Sequence, residues 1–142
     1  MDQKEKQTAT EAAAWEALEA AVRAVPRDRL EEPLLSGGWS VKDVLWHITR
    51  WWEDSADTLE LLHAGTFTGW DGDTDAENDR VLVQGRGMTL EEIELRSAQV
   101  RERMLLAWEA APSDDPRASE TFHSETTEHY DEHLVQIQSI PD

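Results

Sequence analysis

Cysteine is absent from the 142 residues. That excludes disulfide staples, thiolate metal sites and cysteine nucleophiles. A metal would have to be held by histidine, aspartate or glutamate, and any thiol chemistry would need a thiol brought by the substrate. Basic residues are scarce: 13 lysines and arginines stand against 31 acids, a formal net charge of -18. Such a chain repels phosphate backbones and anionic membrane surfaces, so no nucleic acid and no membrane is expected as a partner. No stretch approaches the roughly 18 consecutive apolar residues of a membrane span. The opening residues Met1 to Gln7 are polar and lack the apolar run of a signal peptide. The expectation is a soluble, cytoplasmic protein. Strand-like alternation and internal repeats are missing as well.

Hydrophobic residues make up 39% of the chain and include seven tryptophans, enough for one core. The whole of residues 1–142 therefore reads as a single domain. Thr8 with Glu11 has the spacing of a capping box, and Trp15, Leu18, Val22 and Val25 follow at helical spacing until Pro26. Residues 26–39 read as a loop. Ser40 with Asp43 starts a second helix whose apolar face runs from Val41 through Trp51 to Leu62, with Gly65 as its stop. Residues 65–88 read as a long, glycine-bearing acidic connection, with room for a short helix near Asp75–Gln84; a connection of this length suits either a lid or a disordered link. Thr89 with Glu92 caps the next helix, which runs to Pro112, and a last helix covers roughly 121–139. The fold class expected is all-α: a four-helix bundle with a long connection between helices 2 and 3.

His129 and His133 are four residues apart, hence one turn apart on one helix face, a spacing that lets two imidazoles bind one ion. His47 lies between Val44, Ile48 and Trp51 on the apolar face of its helix, and reads either as a hydrogen-bonded core histidine or as a third ligand. The wheel set by Tyr130, Leu134 and Ile137 turns the pair toward the core or its rim. Three imidazoles buried without partners are costly, and a shared ion would satisfy them together. His63, just before Gly65, suits a helix C-terminus; His123 is a weak fourth ligand. Tyr130 stands where a zinc protease helix would carry glutamate, which argues against that class. Tyr130 is either a proton donor or a core aromatic. Gln136, one turn beyond His133, is placed to bond a ligand or hold a ring nitrogen. Glu128 and Glu132 are candidates to orient the imidazoles or are simply solvated. Trp46, Trp51, Trp52 and Trp70 are candidates to line a pocket or to be core.

Gly38-Trp39-Ser40 followed by His47-Ile48, together with His129-x-x-x-His133-x-x-Gln136-Ile137, resembles the two signatures of the DinB-like superfamily. That superfamily includes the mycothiol-dependent maleylpyruvate isomerase N-terminal domains and the bacillithiol transferases. The resemblance implies a four-helix bundle in which His47, His129 and His133 hold a divalent metal ion (zinc, nickel or iron). It also implies transfer of a low-molecular-weight thiol to an electrophilic small molecule, and pairing as a homodimer. Glu77-Asn78-Asp79 resembles the related colibactin self-resistance group, which detoxifies small molecules. Two departures affect the substrate and leave the histidines untouched: Leu134-Val135 stands where many relatives have Arg-Gly, and the glutamate of the ergothioneine-pathway members is lacking. A metal-dependent hydrolase and a non-catalytic binding or self-resistance protein are the competing readings, because a metal that activates a thiol equally activates water.

Overall fold

Ser40 opens the longest helix. Its hydroxyl accepts from the Asp43 amide while the Asp43 carboxylate accepts from the Ser40 amide, so two amides at the helix start are satisfied reciprocally. The helix, Val41–Ala64, ends where Gly65 takes a left-handed conformation at φ 73°. In the computed structural model, which describes residues 2–141, the α-helices are α1 (Gln3–Ala24), α2 (Val41–Ala64), α3 (Thr74–Arg86), α4 (Leu90–Ala110), α5 (Pro116–His123) and α6 (His129–Gln138). A π turn, Ser124–Glu128, joins α5 to α6 without leaving helical backbone, so the described residues form five helical rods and no strand.

The all-helical expectation holds, and its details shift in three places. α1 starts six residues earlier than the Thr8–Glu11 spacing suggests: Asp2 and Glu5 make the capping box. Thr8 instead donates to the Lys4 carbonyl and accepts from Trp108 Nε1, while Glu11 is buried at 1% exposure. The acidic connection is irregular over 65–73 and at 87–88, and the short helix expected near Asp75–Gln84 runs Thr74–Arg86 under an Asp73 cap. Finally, the last helix begins at Pro116 rather than near 121, with Asp115 as cap and proline at its first position, where no amide is needed.

α2 packs on α4 and α3, and α1 packs on α6. Trp52, Tyr130, Phe122, Leu18, Ile48, Leu59 and Met104 are fully buried between them. A smaller cluster of Trp46, Val81 and Ile93 seats α3. Gly85 permits this seating, since a Cβ there would fall inside the Trp46 indole. One buried polar chain touches four rods. Arg101 of α4 donates twice to Glu11 of α1, the Tyr130 hydroxyl of α6 donates to Glu11 at 2.7 Å, and Trp52 Nε1 of α2 donates to that hydroxyl at 2.8 Å.

Removing Glu11 strands the partly buried Arg101 and the Tyr130 hydroxyl together. Glu11→Ala is expected to cost about 3 kcal/mol in denaturant unfolding, and Tyr130→Phe about 1–2 kcal/mol. Unchanged midpoints in both variants would remove the network from the list of stabilising elements.

Candidate metal centre

His47 of α2 meets His129 and His133 of α6 at one point. The Nε2 atoms of His47 and His129 are 3.0 Å apart, as are those of His129 and His133. All three ligand-capable nitrogens lie within 4.8 Å of one another. Two consecutive left-handed glycines, Gly37 and Gly38, turn the chain so that Trp39 lies edge-on to His47 at 5.3 Å. Trp51 flanks the other side of His47 at 6.4 Å and is itself held by the Asn78 side chain of α3. Two half-buried indoles therefore flank His47.

Burial, assisted by His133, pushes the His47 pKa down to about 4. Burial, then His133 and His47, push that of His129 to about 3. His133 is lowered by burial, against the opposing influence of its bond to Gln136 and of Glu132. Neutral imidazole is the form that donates a lone pair to a metal. His133 Nδ1 is 2.8 Å from Gln136 Oε1, an acceptor, so Nδ1 carries the proton and Nε2 presents its lone pair inward.

This donor set suits one divalent cation. His129 Nε2 faces two other Nε2 atoms, yet a single proton on it can satisfy only one of them. An ion at about 2.0–2.1 Å from each nitrogen would satisfy every inward lone pair at once. The Nδ1 atoms of His47 and His129 are buried and have no protein partner. Three histidines so arranged could bind a metal and leave coordination positions for a small ligand.

The other expected residues scatter. Gln136 does hold a ring nitrogen. Tyr130 turns away: its hydroxyl is engaged by Glu11 and Trp52, which makes it a core residue rather than a proton donor at the site. Glu128 and Glu132 are exposed and bond to no histidine. His123 and His63 are exposed and stand outside the cluster. Trp46 and Trp52 are core, whereas Trp51 and Trp70 line a cavity of about 730 Å³ between α2, the 66–73 segment and α5. That cavity also contains Glu125, which the sequence did not single out. A larger cavity of about 1110 Å³ lies between α1 and α4 and holds none of the histidines.

The rods and the clustered histidines define an all-helical protein of the DinB-like kind. Residues 12–130 match the family model described as the mycothiol maleylpyruvate isomerase N-terminal domain, and the chain belongs to that family. Crystal structures of the mycothiol-dependent maleylpyruvate isomerase, and of a mutant of it with one histidine replaced by alanine, share the fold at a TM-score of 0.79 and 14% identity. Each alignment covers 99% of this chain and 65% of that chain, so this chain spans 65% of the isomerase's length. No curated protein matches it. No helix among the described residues is long and apolar enough to cross a membrane.

The histidine shifts have a direct consequence for stability. Each folded-state pKa lies below the ordinary value of 6.5, so between pH 6.5 and about 4 the unfolded chain binds the additional protons. The metal-free protein should lose stability as pH falls through that window, by up to about 1.4 kcal/mol per pH unit for each histidine involved. Glu125, raised to about 7 by burial and then by Asp54, Glu128 and Glu132, acts in the opposite sense, favouring the fold as pH falls from 7 toward 4.5. Urea titrations at pH 7.5 and pH 5 should show the histidines prevailing. A metal-free protein no less stable at pH 5 would contradict the buried neutral triad.

Proposed function

We propose that this protein is a metal-dependent enzyme that joins a low-molecular-weight thiol to an electrophilic small molecule, with His47, His129 and His133 as the ligands of one divalent ion. The observation that carries this reading is the convergence of three neutral Nε2 atoms in a member of a family named for a mycothiol-dependent isomerase. A bound zinc, nickel or iron ion would supply Lewis acidity that favours the deprotonated form of a thiol held at an open position. The protein's own groups do the rest. The three histidines present lone pairs, Gln136 keeps His133 in the required tautomer, and Trp39 and Trp51 flank His47. The absence of cysteine means that the sulfur comes from the co-substrate.

In this reading residues 1–142 form one domain. Its four-helix bundle consists of α1, α2, α4 and the α5–α6 rod, with α3 forming part of the connection between α2 and α4 and packing on α2. The protein acts as a cytoplasmic homodimer, and its net charge of -18 argues against nucleic acid and membrane partners.

Elemental analysis of protein purified without a histidine tag or chelator should find about one zinc, nickel or iron per chain, lost in His47→Ala and His129→Ala while the helical circular dichroism persists. Gln136→Ala should keep the ion with about 10–100-fold weaker affinity. The loaded protein should then consume mycothiol or bacillithiol in the presence of an electrophile. Failure to take up metal after reconstitution, or retention of stoichiometric metal in both alanine variants, would overturn the assignment.

A further inference from the structure

The cavity beside the histidines carries a charge pattern of its own. Seven carboxylates line its roughly 730 Å³, and no lysine, arginine or histidine does. Some of these acids have other partners: Asp57 pairs with Arg103, Glu77 with Arg50 and Arg80, and Asp73 caps α3. Asp54 on α2 and Glu125 on the π turn face each other with no ion pair or hydrogen bond to any described residue. Burial raises the pKa of both: at Asp54 against the pull of Arg50 and with help from Glu77, Asp57 and Glu53, and at Glu125 with help from Asp54, Glu128 and Glu132. The walls are aromatic: Trp51, Phe67 and Trp70 line the space, with Phe67 and Trp70 edge to face at 4.8 Å. A separate signal comes from Thr121, which lines the same cavity at 6% exposure with its hydroxyl unpartnered. A buried hydroxyl without a partner marks a place where a ligand's polar group would be satisfied.

We infer that this cavity binds an organic cation, an ammonium or amidinium group carried on an apolar or aromatic body. The charged group would sit between Asp54 and Glu125 within hydrogen-bonding reach of Thr121, and the body against Trp51, Phe67 and Trp70. Opposed carboxylates offer charge-assisted bonds to a cation, and indole faces add cation–π attraction. Trp51 is shared between the cavity wall and the flank of His47, and Glu125 lies one turn before His129 on the same rod. The inference rests on the preceding reading in one respect: it makes the cavity the seat of the electrophile, which is then cationic. A carboxylate such as a pyruvate derivative is disfavoured here by like charge.

The test is calorimetric titration of benzylammonium, benzyl alcohol and benzoate into metal-free and zinc-loaded protein, above the Glu125 value of about 7. Benzylammonium should bind at least about tenfold more tightly than the alcohol, and benzoate should not bind. Asp54→Asn and Glu125→Gln should each weaken the cation about tenfold, and Thr121→Val severalfold, with zinc uptake intact in all three. The control Glu91→Gln/Glu102→Gln, which removes two acids outside the cavity, should leave the affinity unchanged. Equal binding of the alcohol or of benzoate, indifference of the cavity variants, or an equal loss in the control would each overturn the proposal. Failure of the metal reading appears separately, as a parent protein that takes up no zinc yet still binds the cation.

Discussion

One buried carboxylate sets the rotation of the helices. Glu11 accepts from Arg101 and Tyr130, and Tyr130 in turn accepts from Trp52, so α1, α4, α6 and α2 are tied at a single polar point inside an otherwise apolar core. Successive residues on a helix are about 100° apart, so pinning Tyr130 inward determines where its neighbour His129 must point. Four residues beyond His129, about one turn, His133 shares that direction. Trp52 likewise fixes the turn of α2 that carries His47. The polar chain and the histidine cluster are thus two consequences of the same helix setting.

The elements most legible from residues alone are those governed by local chemistry. Ser40 with Asp43, Thr89 with Glu92 and the stop at Gly65 behave as their spacings indicate, because capping depends on neighbours within one turn. The three histidines were legible as candidates through their spacing and apolar surroundings. What eluded the sequence depends on distant partners. Glu11 looks like a capping residue at an exposed helix start, and only the arrival of Arg101 and Tyr130 from residues far along the chain makes its burial tolerable. The same tertiary demand takes Glu11 out of the Thr8 box, and the helix start is set instead by the local box of Asp2 with Glu5. Tyr130 gave no sign of which side its hydroxyl would serve. Glu125 and Thr121 lie in a helical stretch without a motif, and the π turn that displays Glu125 has no sequence signature of its own.

The distribution of charge follows from scarcity. With 13 bases against 31 acids, several arginines tie separate segments together, as Arg103 does α4 to Asp57 and Glu60 of α2, Arg96 to Glu53, and Arg27 of the α1–α2 connection to Glu94. Such exposed pairs contribute little each. Their positions nevertheless leave the cavity wall formed by α2, the 66–73 segment and α5 without a basic side chain. The adjoining histidines, held neutral by burial, add no positive charge there. A neutral donor cluster beside a negative, aromatic-walled space is a combination that a cation can enter from either side: a metal ion at the nitrogens, an organic cation at the carboxylates.

The proposed chemistry turns on three imidazoles sharing one ion. X-ray absorption spectroscopy of the protein loaded with zinc measures this most directly. Three histidine nitrogens are expected at about 2.0–2.1 Å, with the outer-ring scattering of imidazole, and one or more lighter ligands completing the shell. A shell made of oxygen alone, or with fewer than three imidazoles, would contradict it.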